Sequence, residues 1–333
     1  MTISYNNFVR LLIYGGLVIL LLAEYSPALL GSDEFNGFDV SNSLIPADEI
    51  HQGGPPRDGI PAIDQPRFVK AADASHVKSD EIVLGIEFNG EARAYPISIL
   101  NWHEIINDRI QAQSVVVSFC PLCGTGMVYL VDEREGYGVS GLLYNSDMLL
   151  YDRATESLWS QIKSQAISGS RKGEELNRLP VSHMKWSAWA SEYPDSLVLS
   201  RDTGHQRDYD KSPYLGYSSS ERLYFPVNNR DNRYTNKESV IGLVRNGQSR
   251  VWPVSEIRKC DSPIRDHFNG EPVTINFDET ADHARITDKQ GKLLMRPGPT
   301  GSHGSPFILT VSYISAIKSD FSVKNAGIDT TLR

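Results

Sequence analysis

Cysteine is scarce in this chain, whose 333 residues include only Cys120, Cys123 and Cys260. That count excludes a disulfide-stapled scaffold, and a single Cys-x-x-Cys excludes a full zinc ribbon, which needs two. No Gly-x-Ser-x-Gly, Gly-x-x-x-x-Gly-Lys-Ser/Thr or His-Glu-x-x-His is present, so serine-hydrolase, phosphate-loop and zincin chemistries have no support. Positive charge is short as well: the net charge is -8 and no Lys/Arg stripe is interleaved with aromatics. No nucleic-acid partner is expected.

Long hydrophobic runs are missing except at the N-terminus, where residues 11–23 form an apolar stretch between Arg10 and Glu24. This is short for a membrane span and suits the core of a signal peptide. Residues 1–30 are therefore expected to be a signal peptide or N-terminal membrane anchor. The chain would be exported, periplasmic or extracellular, with membrane association confined to that segment. No cysteine follows the run, which excludes a lipoprotein anchor. Residues 31–66, rich in Gly, Pro, Asp and Asn, read as an extended linker or strap. A β-rich domain is expected over 67–333, in two related halves of about 67–200 and 201–333.

What is there begins with Val115-Val116-Val117-Ser118-Phe119 running into Cys120-Pro121-Leu122-Cys123-Gly124. Such a pair either ligates a metal or closes a small redox disulfide. A thiol-disulfide oxidoreductase would open a helix after the motif, whose dipole lowers the thiol pKa. Here Thr125-Gly126-Met127-Val128-Tyr129-Leu130-Val131 reads as a returning strand, so a metal-binding knuckle is the leading expectation. A structural pairing is the third reading, although an i to i+3 disulfide closes too small a loop to stabilise much.

A repeat is the second signal. Residues 81–98 are echoed by 238–255, with Glu, Gly, Asn-Gly, Arg, Pro and Ser at one constant spacing. Each copy reads as a hairpin turning on Asn-Gly, which accepts positive φ at both central positions. The echo continues from 115–119 to 273–277 after a one-residue slip, but Asp278 stands where a cysteine would. The expected fold is mainly β with short helices, including one over 184–193, in two related halves. His103 aligns with Cys260 across the repeat.

His103 and Cys260 are accordingly expected to complete a metal shell with Cys120 and Cys123, holding copper or zinc, the ions that suit thiolate and imidazole in an exported protein. Asp147 and Gln161 are expected at the rim. Glu104 is a candidate general base or an orienting partner for His103. Asp147 is a second catalytic candidate, against its reading as an ion-pair or turn residue. Arg207, in a loop with Asp208, Tyr209, Tyr214 and Tyr217, is the third. A non-catalytic envelope scaffold or binding module is the remaining function class.

Asn101-Trp102-His103-Glu104-Ile105-Ile106-Asn107-Asp108, Cys120-Pro121-Leu122-Cys123-Gly124-Thr125, residues 139–147, Tyr151-Asp152-Arg153, residues 157–161 and Arg207-Asp208-Tyr209 together resemble the family catalogued as domain of unknown function 3179 (DUF3179). The resemblance runs from about Gly53 to about Ile257. It implies an exported or membrane-associated prokaryotic protein and assigns no activity.

Overall fold

The computed structural model describes residues 34–132, 136–228, 233–245, 248–292 and 294, with the backbone of 307–313 and 323–326. The signal or anchor segment and the Asn246-Gly247 turn lie outside the described residues. Among the described residues no helix is long and apolar enough to cross a membrane.

The chain is mainly β with a few short helices. It runs β1 (Glu34–Phe35), β2 (Phe38–Asp39), β3 (Ile50–Gln52), β4 (Phe68–Lys70), β5 (Ile82–Phe88), β6 (Glu91–Pro96) and α1 (Ile97–His103). There follow β7 (Ile105–Ile110), β8 (Gln113–Cys120), β9 (Thr125–Val131), β10 (Tyr137–Tyr144), β11 (Asp147–Asp152), β12 (Leu158–Ser160), β13 (Gln165–Ala166) and β14 (Asn177–Leu179). After β15 (Ser182–Lys185), α2 (Trp186–Glu192) and β16 (Leu197–Leu199) come β17 (Ser239–Arg245), β18 (Gln248–Pro253) and α3 (Val254–Ile257). The remaining strands are β19 (Ile264–Phe268), β20 (Glu271–Asp278), β21 (His283–Asp288), β22 (Phe307–Tyr313) and β23 (Val323–Ala326).

Three stacked sheets position the cysteines. The middle one has the order β14-β9-β8-β7. On one face Val116, Cys120, Met127 and Tyr129 meet Tyr137, Val139, Met148, Leu150 and Trp159 of the sheet β13-β12-β11-β10-β3. On the other, Val115, Val117 and Phe119 meet Leu84, Ile86, Tyr95, Ile99 and Leu100 around the sheet β15-β5-β6-β16-β4. A strand covered on both faces has no solvent side, so Val115-Val116-Val117 is continuously apolar rather than alternating. Residues 34–67 contribute β3 to the edge of β10 and pair Ile63 with Ile106.

Local chemistry sets the elements. Asn89 (φ 53°) and Gly90 (φ 81°) make the expected positive-φ turn between β5 and β6. Proline at 96, extended at φ -62°, ψ 135°, starts α1, which buries Ile99, Leu100 and His103 and stops where Glu104 turns to φ 57°. Helix α2 is shorter than the sequence suggests, because Met184 is drawn into β15 opposite Val83. Gly85 faces Trp189 of α2: an added Cβ would lie 2.2 Å from the ring, which is 1% exposed. Gly85→Ala should cost about 2–3 kcal/mol by overpacking. Urea unfolding checks this, and a loss under about 0.5 kcal/mol would mean that the contact relaxes freely.

Beyond residue 233, β22-β17-β18-β23 and β19-β20-β21 share a separate core of Ile241, Leu243, Trp252, Ile257, Ile275 and Ile286. It joins the first part through Lys185 N donating to Ala281 O (2.9 Å) and through the Arg285–Glu192 ion pair.

Candidate metal centre

Strand parity on β8 aims Val116, Ser118 and Cys120 toward the sheet of β10 and β11. Cys120 pairs with Thr125, so the Cys-Pro-Leu-Cys-Gly segment is the connection of an antiparallel hairpin, as expected. Gly124, at φ 64°, supplies the left-handed residue that brings the chain back. Facing it, Asn145 (φ 52°) and Ser146 (φ 62°) form the two-residue turn between β10 and β11. A serine held in this region costs on the order of 1 kcal/mol. Here the turn sets Asp147 at the start of β11, beside the cysteines.

Cys120 Sγ, Cys123 Sγ and an Asp147 carboxylate oxygen lie within 4.8 Å of one another. The three residues are 1%, 0% and 0% exposed. Cys123 Sγ is 3.5 Å from Asp147 Oδ1, and Cys120 Sγ is 3.6 Å from Ser146 O. A thiolate sulfur and a carboxylate oxygen sharing one tetrahedral zinc-sized ion stand about 3.5 Å apart, given metal–ligand lengths of about 2.3 and 2.0 Å. All three donors suit such an ion by type, and Cys123 and Asp147 stand at its spacing.

The surroundings fix these groups. Asp147 Oδ2 accepts from Ile162 N (3.0 Å) and Ser160 Oγ (3.4 Å). Burial raises the Asp147 carboxyl to about 7, against the lowering effect of those donors. Burial also pushes the Cys123 thiol up, and neighbouring Cys120 adds to the shift. Gln161, 0% exposed, donates from Nε2 to Ser118 Oγ (3.0 Å) and Thr125 O (3.1 Å). Its Oε1 lies 4.0 Å from Cys123 Sγ.

Residues 211–228 have no regular structure, and their Tyr214, Tyr217 and Phe225 pack against the core that holds both cysteines. Tyr214 donates to Glu104 Oε1 (2.7 Å), and Ser146 Oγ donates to Phe225 O (3.0 Å). Lys237 donates to the carbonyls of Tyr217, Ser220 and Arg222.

Two of the expected ligands, His103 and Cys260, lie away from the cluster. His103 donates from Nδ1 to Pro61 O (2.8 Å), so its Nε2 accepts from Tyr209 OH (2.8 Å). Both ring nitrogens are thus used, and Tyr209 belongs to the core on the far face of the middle sheet. Cys260 is exposed just after α3, where its amide bonds Ile257 O, and stands outside the cluster. The pairing of His103 with Cys260 across the repeat therefore brings neither to the site.

Of the catalytic candidates, only Asp147 is among the clustered donors. Glu104 is buried and bonded to Tyr214. Arg207 is exposed, over the Trp102 ring and bonded to Gln206 O. Sequence reasoning missed Ser118 and Ser160, which orient Gln161 and Asp147. The one signal was a serine inside an otherwise apolar buried strand.

The model of a family described as Protein of unknown function (DUF3179) matches residues 57–298, which contain the cysteines, Asp147, Gln161 and the covering segment. No curated protein and no solved structure matches the chain. With the match extending over most of its length, the chain belongs to the DUF3179 family.

Proposed function

We propose that this is an exported metal-binding protein in which Cys120, Cys123 and Asp147 hold one soft or borderline cation, copper or zinc. The observation that carries the reading is the convergence of two thiols and a carboxyl, all buried, within 4.8 Å of one another, with Cys123 and Asp147 at 3.5 Å. The thiols can pack as small apolar side chains, but a buried carboxyl set between them is costly to ionise unless something compensates its charge. A bound ion does so, drawing the thiols into their deprotonated form. Export rests on the apolar run at 11–23 after Arg10.

The oxidoreductase alternative has less support. Strand β9, not a helix, comes directly after the motif, both thiols are buried, and the Cys123 thiol is raised rather than lowered.

Elemental analysis of the full chain purified from an oxidising compartment tests the reading. One zinc or copper per chain is expected, lost in Cys120→Ser and kept in Cys260→Ser and His103→Gln. Metal-free wild-type protein would end it.

The same proposal reads the two parts of the chain as copies of one unit. Glu81 accepts from Ser98 N (3.2 Å), and Glu238 accepts from Ser255 N (3.0 Å). Asp108 binds Arg93 and Tyr95, while Asp266 binds Arg250 and Trp252. These parallels support duplication, with metal donors in the first copy alone.

A further inference from the structure

We propose that Gln161 Oε1 is the fourth ligand of this centre, and that the resulting set of two sulfurs and two oxygens makes it a site for a divalent zinc-like ion rather than for Cu(I). The inference rests on the metal reading above and names the ion within it.

The orientation of the Gln161 amide follows from its partners. Thr125 O accepts only, and Ser118 Oγ already donates to Met127 O (3.3 Å), so both need a donor from Gln161. The NH2 group must point to them, which turns Oε1 toward the cysteines. There its partner is Cys123 Sγ at 4.0 Å, too long for more than a weak contact. A buried amide oxygen with so little to accept is under-used, and buried acceptors are normally satisfied.

Backbone contacts leave the side chain little freedom to turn elsewhere. Gln161 O accepts from Tyr129 OH (2.6 Å) and Ser164 N (3.0 Å), and Gln161 N donates to Met148 O (3.3 Å). The side chain is thus held from both ends with its oxygen aimed at Cys123 Sγ.

Charge and softness choose the ion. Two thiolates and a carboxylate carry three negative charges; a divalent ion leaves one of them uncompensated, and a monovalent ion two. The excess sits in a site sealed from water, where each unbalanced charge is costly. A carboxylate and an amide oxygen are hard donors that a borderline divalent ion accepts. Cu(I) prefers sulfur alone.

Zinc and Cu(I) affinities of the full chain, measured against competing chelators in wild type and Gln161→Met, test this. The variant exchanges the oxygen for a thioether of similar length. Its zinc affinity should fall about ten- to hundred-fold, while its Cu(I) affinity holds or rises. Equal losses for both ions, or none for zinc, would overturn the assignment. Because the variant also loses two hydrogen bonds, X-ray absorption on zinc-loaded wild type gives an independent reading: two sulfurs near 2.3 Å and two oxygens near 2.0 Å are expected. A third sulfur or an imidazole in that shell contradicts Gln161. Wild type that binds Cu(I) but no zinc refutes this inference and spares the metal reading; wild type that binds neither removes both.

Discussion

Stripping the ion with a chelator lowers the thermal midpoint of the wild-type chain by about 8–16 °C, and the drop disappears in Cys123→Ser. A ligand that binds only the folded state stabilises it by about 4 kcal/mol at a thousand-fold excess over its Kd. For a domain of this size each kcal/mol moves the midpoint by about 2–4 °C. The expected effect is large because all three clustered donors are buried between two sheets, so a bound ion would tie the end of β8 and the β8–β9 connection to β11. Cys260→Ser, altering an exposed residue after α3, should leave the chelator shift intact. Calorimetry with and without chelator decides, and a wild-type midpoint indifferent to chelator would contradict the metal reading.

Glu104→Gln stabilises the metal-free chain at pH 8 and leaves it nearly unchanged at pH 4. Burial raises the Glu104 carboxyl from 4.5 to about 7, partly offset by the hydrogen bond from Tyr214. Between these values the unfolded chain ionises while the native chain keeps its proton, so stability falls as pH rises through the window. The interval amounts to at most roughly 3 kcal/mol. Gln mimics the neutral acid and removes this decline. The buried His183 and His283, both depressed to about 4, run the other way and withdraw stability as pH falls from 6.5 toward 4. The difference between variant and wild type cancels them. Urea midpoints across pH 4 to 8 should diverge between about 4.5 and about 7 and hold that gap above it, and curves parallel over the whole range would refute the assignment.

The strands around the cysteines were legible because their patterns are local. A β-branched run, an Asn-Gly turn and a Gly-closed knuckle each specify their own geometry, and β5, β6, β8 and β9 follow them. The third donor was only half legible. Asp147 is separated from Cys123 by β9 and β10, strands of different sheets, and only the stacking of those sheets brings the two side chains to 3.5 Å. His103 misled for a different reason. It is the last residue of α1, and the turn at Glu104 sends the two neighbours to opposite sides, one to Tyr209 and the other to Tyr214. No periodicity records such a divergence. Cys260 was drawn in by its alignment with His103, and a correspondence along the sequence does not make side chains converge.

The segment 211–228 bears on time rather than affinity. Its moorings to Glu104, Ser146 and Lys237 cover a centre that solvent does not reach. An ion seated there leaves only as often as those moorings open together, so its residence is set by a local opening rate. Two samples at the same free-metal level can then differ in what they hold, according to which ion was present when the chain folded. On the proposed metal reading, occupancy then records the conditions at folding rather than those at measurement.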